Sequence, residues 1–136
     1  MSRAAPAPRR RALGQLLVAA YAVFAISAAA RAGVQIVTDF DTAPLAYLLS
    51  LLAALVYLVA TLAFRRPGLR AWRTALAACA FEMAGVLLVG TLTYVDADLF
   101  AEPTVWSHFG QGYGYVPLVL PFIGLAWLLR VRREVV

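Results

Sequence analysis

Apolar residues run along this chain in long blocks broken by short polar punctuation. Four blocks stand out, over residues 12–30, 45–64, 72–94 and 115–129. They do not alternate apolar and polar positions, as the strands of a membrane barrel would. Leu and Ala dominate them, and both favour the helix. A helix that crosses a bilayer needs about 20 mostly apolar residues. The third block has one interruption, at Glu82, and the fourth is the shortest. The aromatic segment ahead of the fourth block is expected to extend it. The pattern predicts an all-α, four-helix transmembrane bundle over 12–130, flanked by a basic tail over 1–11 and a short tail over 131–136.

The punctuation predicts the links. Arg65-Arg66-Pro67-Gly68 is a turn signal, so the second and third helices form a tight antiparallel hairpin. Pro44 suits a first helical turn, with Asp41 and Thr42 as capping candidates. The stretch from Val95 to Gly112 is the one sizeable non-helical link, and it is rich in aromatics and glycine. Val105, Trp106 and Phe109 are expected to share one face of a short helix there. Trp106, Phe109 and Tyr113 read as an interfacial aromatic belt. The sharper alternative is a lid or a partner-docking loop.

Composition agrees with the pattern. Of 136 residues, 63% are hydrophobic and 14% charged, against about 45–50% and 25% in ordinary soluble domains. A water-soluble globular domain of this length is excluded. The net charge of +5 comes entirely from arginine. Arg3, Arg9, Arg10 and Arg11 precede the first helix. Arg65, Arg66, Arg70 and Arg73 fill the second link, and Arg130, Arg132 and Arg133 follow the fourth helix. Only Arg31 falls on the other side, together with Asp39, Asp41, Asp96, Asp98 and Glu102. The positive-inside rule then places both termini in the cytoplasm of a multi-pass plasma-membrane protein. The first helix also fits signal-peptide grammar, with a small-residue site near Ala28-Ala29-Ala30. Its length favours a retained span.

The chemistry that can be excluded is broad. Cys79 and His108 are the only residues of their kinds, which rules out an intrachain disulfide and Cys- or His-based zinc motifs. No nucleophile–base pair or phosphate loop is recognisable. No enzyme, cofactor or nucleic-acid partner is expected, and the bilayer is the first partner. Asp39-Phe40-Asp41 and Asp96-Ala97-Asp98 echo each other, an echo read as chance, with duplicated hairpins as the alternative. They read as solvated acidic loops, with divalent-cation binding as the minor alternative.

Glu82 is the charge that edge placement does not explain. It lies nine residues in from Arg73, about 13 Å from the arginine edge. A charge at such depth costs at least ~2.5 kcal/mol. Glu82 is therefore expected to face the bundle interior, carrying its proton or held by strong hydrogen bonds. The same arithmetic puts Tyr21 and Tyr57 at similar depth. Glu82, Tyr21 and Tyr57 form a candidate intramembrane polar layer, with Cys79 on the same helix face as Glu82. Pro121 sits in the same layer and leaves the Pro117 carbonyl without its helical donor. The layer serves as an interhelical lock, a proton- or cation-linked transport site, or a contact for another membrane subunit.

Ser27, Arg31, Gln35 and Asp39 recur every four residues, a candidate outer polar stripe if the first helix continues past Ala30. Arg31 is then expected to pair with Asp39, Asp41 or Asp96. The bland alternative is that Arg31 ends the helix at the headgroups. Gly85 and Gly90 are small enough for close helix contact, but their spacing of five is not the GxxxG motif.

The segments Arg31-Ala32-Gly33-Val34-Gln35, Ala43-Pro44-Leu45-Ala46-Tyr47 and Thr104-Val105-Trp106-Ser107 through Gly124 resemble small uncharacterised four-helix integral membrane proteins of actinomycetes. That resemblance implies the fold and no activity. Small multidrug transporters share the helix count and a membrane glutamate, but theirs lies in the first helix and this one in the third. The expected function is an accessory or assembly subunit acting through helix contacts with a membrane-protein partner. The alternative is a homo-oligomeric proton- or cation-linked transporter or channel using Glu82.

Overall fold

The computed structural model describes residues 8–132, with side chains from Arg11 onward. Most of the two expected tails, including Arg3 and Arg133, lies outside the described residues. The expected N-terminal tail is already helical from Pro8. Four α-helices follow: α1 Pro8–Asp39, α2 Pro44–Arg65, α3 Leu69–Val95 and α4 Val116–Arg130. Short 3-10 turns occupy Phe40–Thr42 and Ser107–Tyr113. No strand occurs among the described residues.

α1, α2 and α3 are each long and apolar enough to cross a membrane. α4 has 15 residues, about 22 Å of helix, against a hydrocarbon core of about 30 Å. It reaches span length only if joined to Ser107–Tyr113, which is bent 97° from it. The aromatic segment therefore does not extend the fourth helix, as the apolar pattern suggested. It folds back instead.

Each helix packs on its neighbour in sequence, and α1 closes the ring against α4 only lightly. The diagonal pairs, α1 with α3 and α2 with α4, make no close backbone approach among the described residues. Side chains must fill the centre. α2 shows how the sequence sorts itself. Leu45, Leu48, Leu52, Leu55, Val59 and Leu62 are exposed along one stripe. Ala46, Ala53, Ala54 and Ala60 are buried on the other, with Ser50, Tyr57 and Thr61. On α1 the buried positions from Arg11 onward are Gly14, Leu17, Tyr21, Ala25, Ala28 and Ala32. Lipid is as apolar as leucine, so association relies on close packing, which small residues permit.

The Arg65–Gly68 turn closes the α2–α3 hairpin as expected, with Gly68 at φ 99°, a conformation glycine adopts without strain. Pro44 opens α2, but Asp41 and Thr42 do not cap it. The Thr42 hydroxyl and the Tyr47 hydroxyl donate to the Asp39 carboxylate instead, turning those polar groups back onto the end of α1. At the opposite end, the Trp72 indole N–H donates to the Leu128 carbonyl at 2.8 Å. It thereby satisfies one of the last carbonyls of α4 and ties α3 to α4.

Candidate functional site

Constant helical rise brings Tyr21, Tyr57 and Glu82 to one level, and side chains from α1, α2 and α3 meet there. All three are fully buried. The Tyr21 hydroxyl donates to Glu82 Oε1 at 2.7 Å and lies 3.4 Å from Cys79 Sγ. Tyr57 belongs to the same layer, tilted against Tyr21 with ring centroids 6.1 Å apart. Its hydroxyl partner is the Trp106 indole N–H at 3.0 Å. Glu82 Oε2 is buried without a hydrogen-bond partner. Gly124 of α4 completes the layer: a Cβ there would lie 2.8 Å from Cys79 Sγ and 3.6 Å from the Tyr21 hydroxyl. Four helices thus converge on one buried carboxyl.

Replacing Tyr21 with Phe removes the donor to Glu82. The expected cost is about 0.6 kcal/mol and at most ~1.7, the range found for interhelical bonds in membranes. Unfolding by denaturing detergent in mixed micelles measures it. An unchanged midpoint would mean that the bond contributes nothing to stability.

Trp106 is not part of an interfacial belt. It is 2% exposed, the largest fully buried side chain among the described residues. The reason lies in α3: a Cβ on Gly85 would fall 2.6 Å from the indole ring. Gly90 likewise leaves its space to the Phe109 ring. The five-residue spacing of these glycines thus matches two inserted aromatics rather than a helix–helix seam. Phe109 is half-buried and stacks on Tyr94 at 5.8 Å. Tyr113 is half-buried and packs on Phe24 at 5.7 Å.

Nor do Val105, Trp106 and Phe109 share a face of an ordinary helix. His108 and Phe109 adopt left-handed φ values of 52° and 61°, followed by Gly110 at 85°. Such conformations are strained for residues with a Cβ, and they reverse the chain so that it dips between the helices. Irregular backbone at membrane depth is tolerated only where its polar groups are satisfied within the protein. Here hydroxyl side chains do this. The Ser50 Oγ accepts from Val105 N–H at 3.3 Å, and the Thr93 Oγ1 from His108 N–H at 2.9 Å. Within the loop, Ser107 Oγ accepts from Thr104 N–H and Thr104 Oγ1 from Trp106 N–H. Ser50 lies six residues into α2, about 9 Å from its end. These hydroxyls were not among the expected site residues. Their signal was weak but present, as lone hydroxyls on otherwise apolar helices facing a glycine-rich aromatic loop.

The chain matches no known family, curated protein or solved structure.

The polar stripe on α1 exists because the helix runs on to Asp39. Ser27 and Arg31 are exposed and Gln35 is half-buried. Arg31 donates to the Tyr113 hydroxyl at 3.5 Å. Among the described residues it has no acidic partner, so the expected pairing with Asp39, Asp41 or Asp96 is replaced by a contact with the folded-back loop. The two Asp-x-Asp motifs lie at that end too, and no group of three or more potential metal ligands converges among the described residues.

Chemically, the centre is a carboxyl with one hydrogen-bonded oxygen and one unengaged oxygen, sealed from water. The Phe64 ring stacks on Tyr21 at 5.5 Å and also lines a surface groove at the arginine-bearing end. The same ring thus faces both the groove and Tyr21.

Proposed function

We propose that this chain is a four-span plasma-membrane protein with both termini cytoplasmic, acting as an accessory or assembly subunit through helix contacts. The sealed centre carries this reading. Tyr21, Tyr57, Cys79 and Glu82 have no surface that water can touch, so the centre of the single chain, at the level of Glu82, offers a solute no open path. Its surface is lipid-compatible leucine and valine on every helix, with short polar ends. The distribution of arginine supports the orientation. The likeness to small actinomycete membrane proteins is compatible with the same reading and adds no activity.

Purification of the full chain in a mild detergent, with mass spectrometry of what accompanies it, tests the reading. A stoichiometric membrane-protein partner is the expected result. A chain that purifies alone, and that carries a pH-driven flux in reconstituted vesicles, overturns it.

A second reading is favoured by one observation, the unpartnered Glu82 Oε2. Buried intramembrane acids often mark proton or cation pathways, and Phe64, which stacks on Tyr21, also lines the groove. On that reading the chain is a homo-oligomeric proton- or cation-linked transporter, and Glu82→Gln abolishes its pH-driven flux. If Glu82→Gln leaves the flux intact, the transport reading fails.

A further inference from the structure

α1 and α4 are the least closely packed adjacent helices of the bundle. At the arginine-bearing end, α1, the end of α2 with its turn, and Trp127 of α4 line a groove of about 440 Å³, within the usual size of a small-molecule site. Its walls include Val18, Phe64 and Trp127, and its rim carries Arg11, Arg65 and Arg66. No acidic residue lines it. Among the described residues, the acids other than Glu82 lie at the opposite end of the helices. The three arginines are exposed, and among the described residues none has an acidic partner. Arg66 also lines a second groove of about 360 Å³, between α2 and α3, together with Arg70.

Guanidinium groups recognise phosphate through a planar fork of donors. Apolar walls recognise hydrocarbon. A slot that has both, at the depth where the helices leave the apolar core, matches a molecule with an anionic head and an acyl tail. Basic pockets between membrane helices bind such headgroups elsewhere.

We infer that this groove binds an anionic phospholipid, with its phosphate held by Arg11, Arg65 and Arg66 and its acyl chain lying along Val18, Phe64 and Trp127. This inference is independent of the proposed function, and it holds whichever face of the membrane the arginines occupy.

The test uses the full chain in dodecyl maltoside micelles. Phosphatidylglycerol or phosphatidylcholine is added, and bound lipid is counted by native mass spectrometry. Phosphatidylglycerol is expected to bind and to raise the thermal midpoint, whereas phosphatidylcholine does neither. Each of Arg11→Gln, Arg65→Gln and Arg66→Gln should weaken phosphatidylglycerol binding about fivefold. Arg31→Gln, at the far end, should leave it unchanged. Val18→Trp fills the groove while keeping every arginine, and should also abolish retention. Equal binding of the two lipids overturns the inference, as does equal weakening by Arg31→Gln. Unimpaired retention in Val18→Trp overturns it too. If inorganic phosphate raises the midpoint as much as phosphatidylglycerol, the site is a simple anion site and the lipid assignment is wrong.

Discussion

Trp106→Ala is expected to be the most damaging single truncation in this protein, costing about 3–5 kcal/mol. The indole fills the space opposite Gly85 and reaches the Tyr57 hydroxyl. Its removal empties the centre of the bundle and leaves a buried hydroxyl without its donor. Lipid tails cannot fill the gap, because it is enclosed by α2, α3 and the folded-back loop. The loss is one of van der Waals contact, the main force between helices in a bilayer. The midpoint of unfolding in mixed micelles should fall accordingly. Trp106→Phe, which keeps the ring and loses only the N–H, should cost far less. A loss within ±0.5 kcal/mol for the alanine variant, as for an ordinary surface position, would mean that the ring lies at the interface after all.

The second large effect is expected from the opposite change, at Gly124. A Cβ at this position already meets Cys79 Sγ at 2.8 Å and Phe64 at 3.3 Å. Gly124→Leu would therefore drive α4 away from α3 at the level of Glu82. Overpacking of this kind costs about 1–3 kcal/mol. Cys79 supplies an internal reporter, because it is the only cysteine and is fully buried. In the native chain a membrane-permeant maleimide should label it only on unfolding. In Gly124→Leu it should be labelled under native conditions. Continued protection of Cys79 in a stable variant would show that the α3–α4 contact is slack.

The Tyr21–Glu82 contact was legible in the sequence because helical rise is constant. Counting inward from an arginine edge gives depth, and depth decides which polar side chains can meet. Counting says nothing about azimuth or about non-helical segments, and both mattered for Tyr57. Its depth was right, but its partner is an indole from a loop expected at the surface. Aromatics flanking a span ordinarily mark the headgroup region, so Trp106 carried a misleading signal. The corrective signal lay on other helices, spread over Ser50, Tyr57, Gly85, Gly90 and Thr93. Local pattern cannot connect such positions. The left-handed turn at His108 and Phe109 had little signal, since histidine adopts that conformation only occasionally and phenylalanine rarely. The first helix outruns its apolar block, which ends near Ala30: it continues to Asp39, and the four-residue recurrence of Ser27, Arg31, Gln35 and Asp39 pointed to that extension only as a condition.

The short fourth helix bears on how the chain is made. α1, α2 and α3 can each partition into a bilayer on its own, since their backbones are satisfied by their own helical bonds. The final third cannot. Its irregular backbone needs the hydroxyls of Ser50 and Thr93, and its tryptophan needs the hollow beside Gly85. An ordered biogenesis is the expected consequence: three autonomous insertions, then a templated closure in which the last segment enters a scaffold already in place.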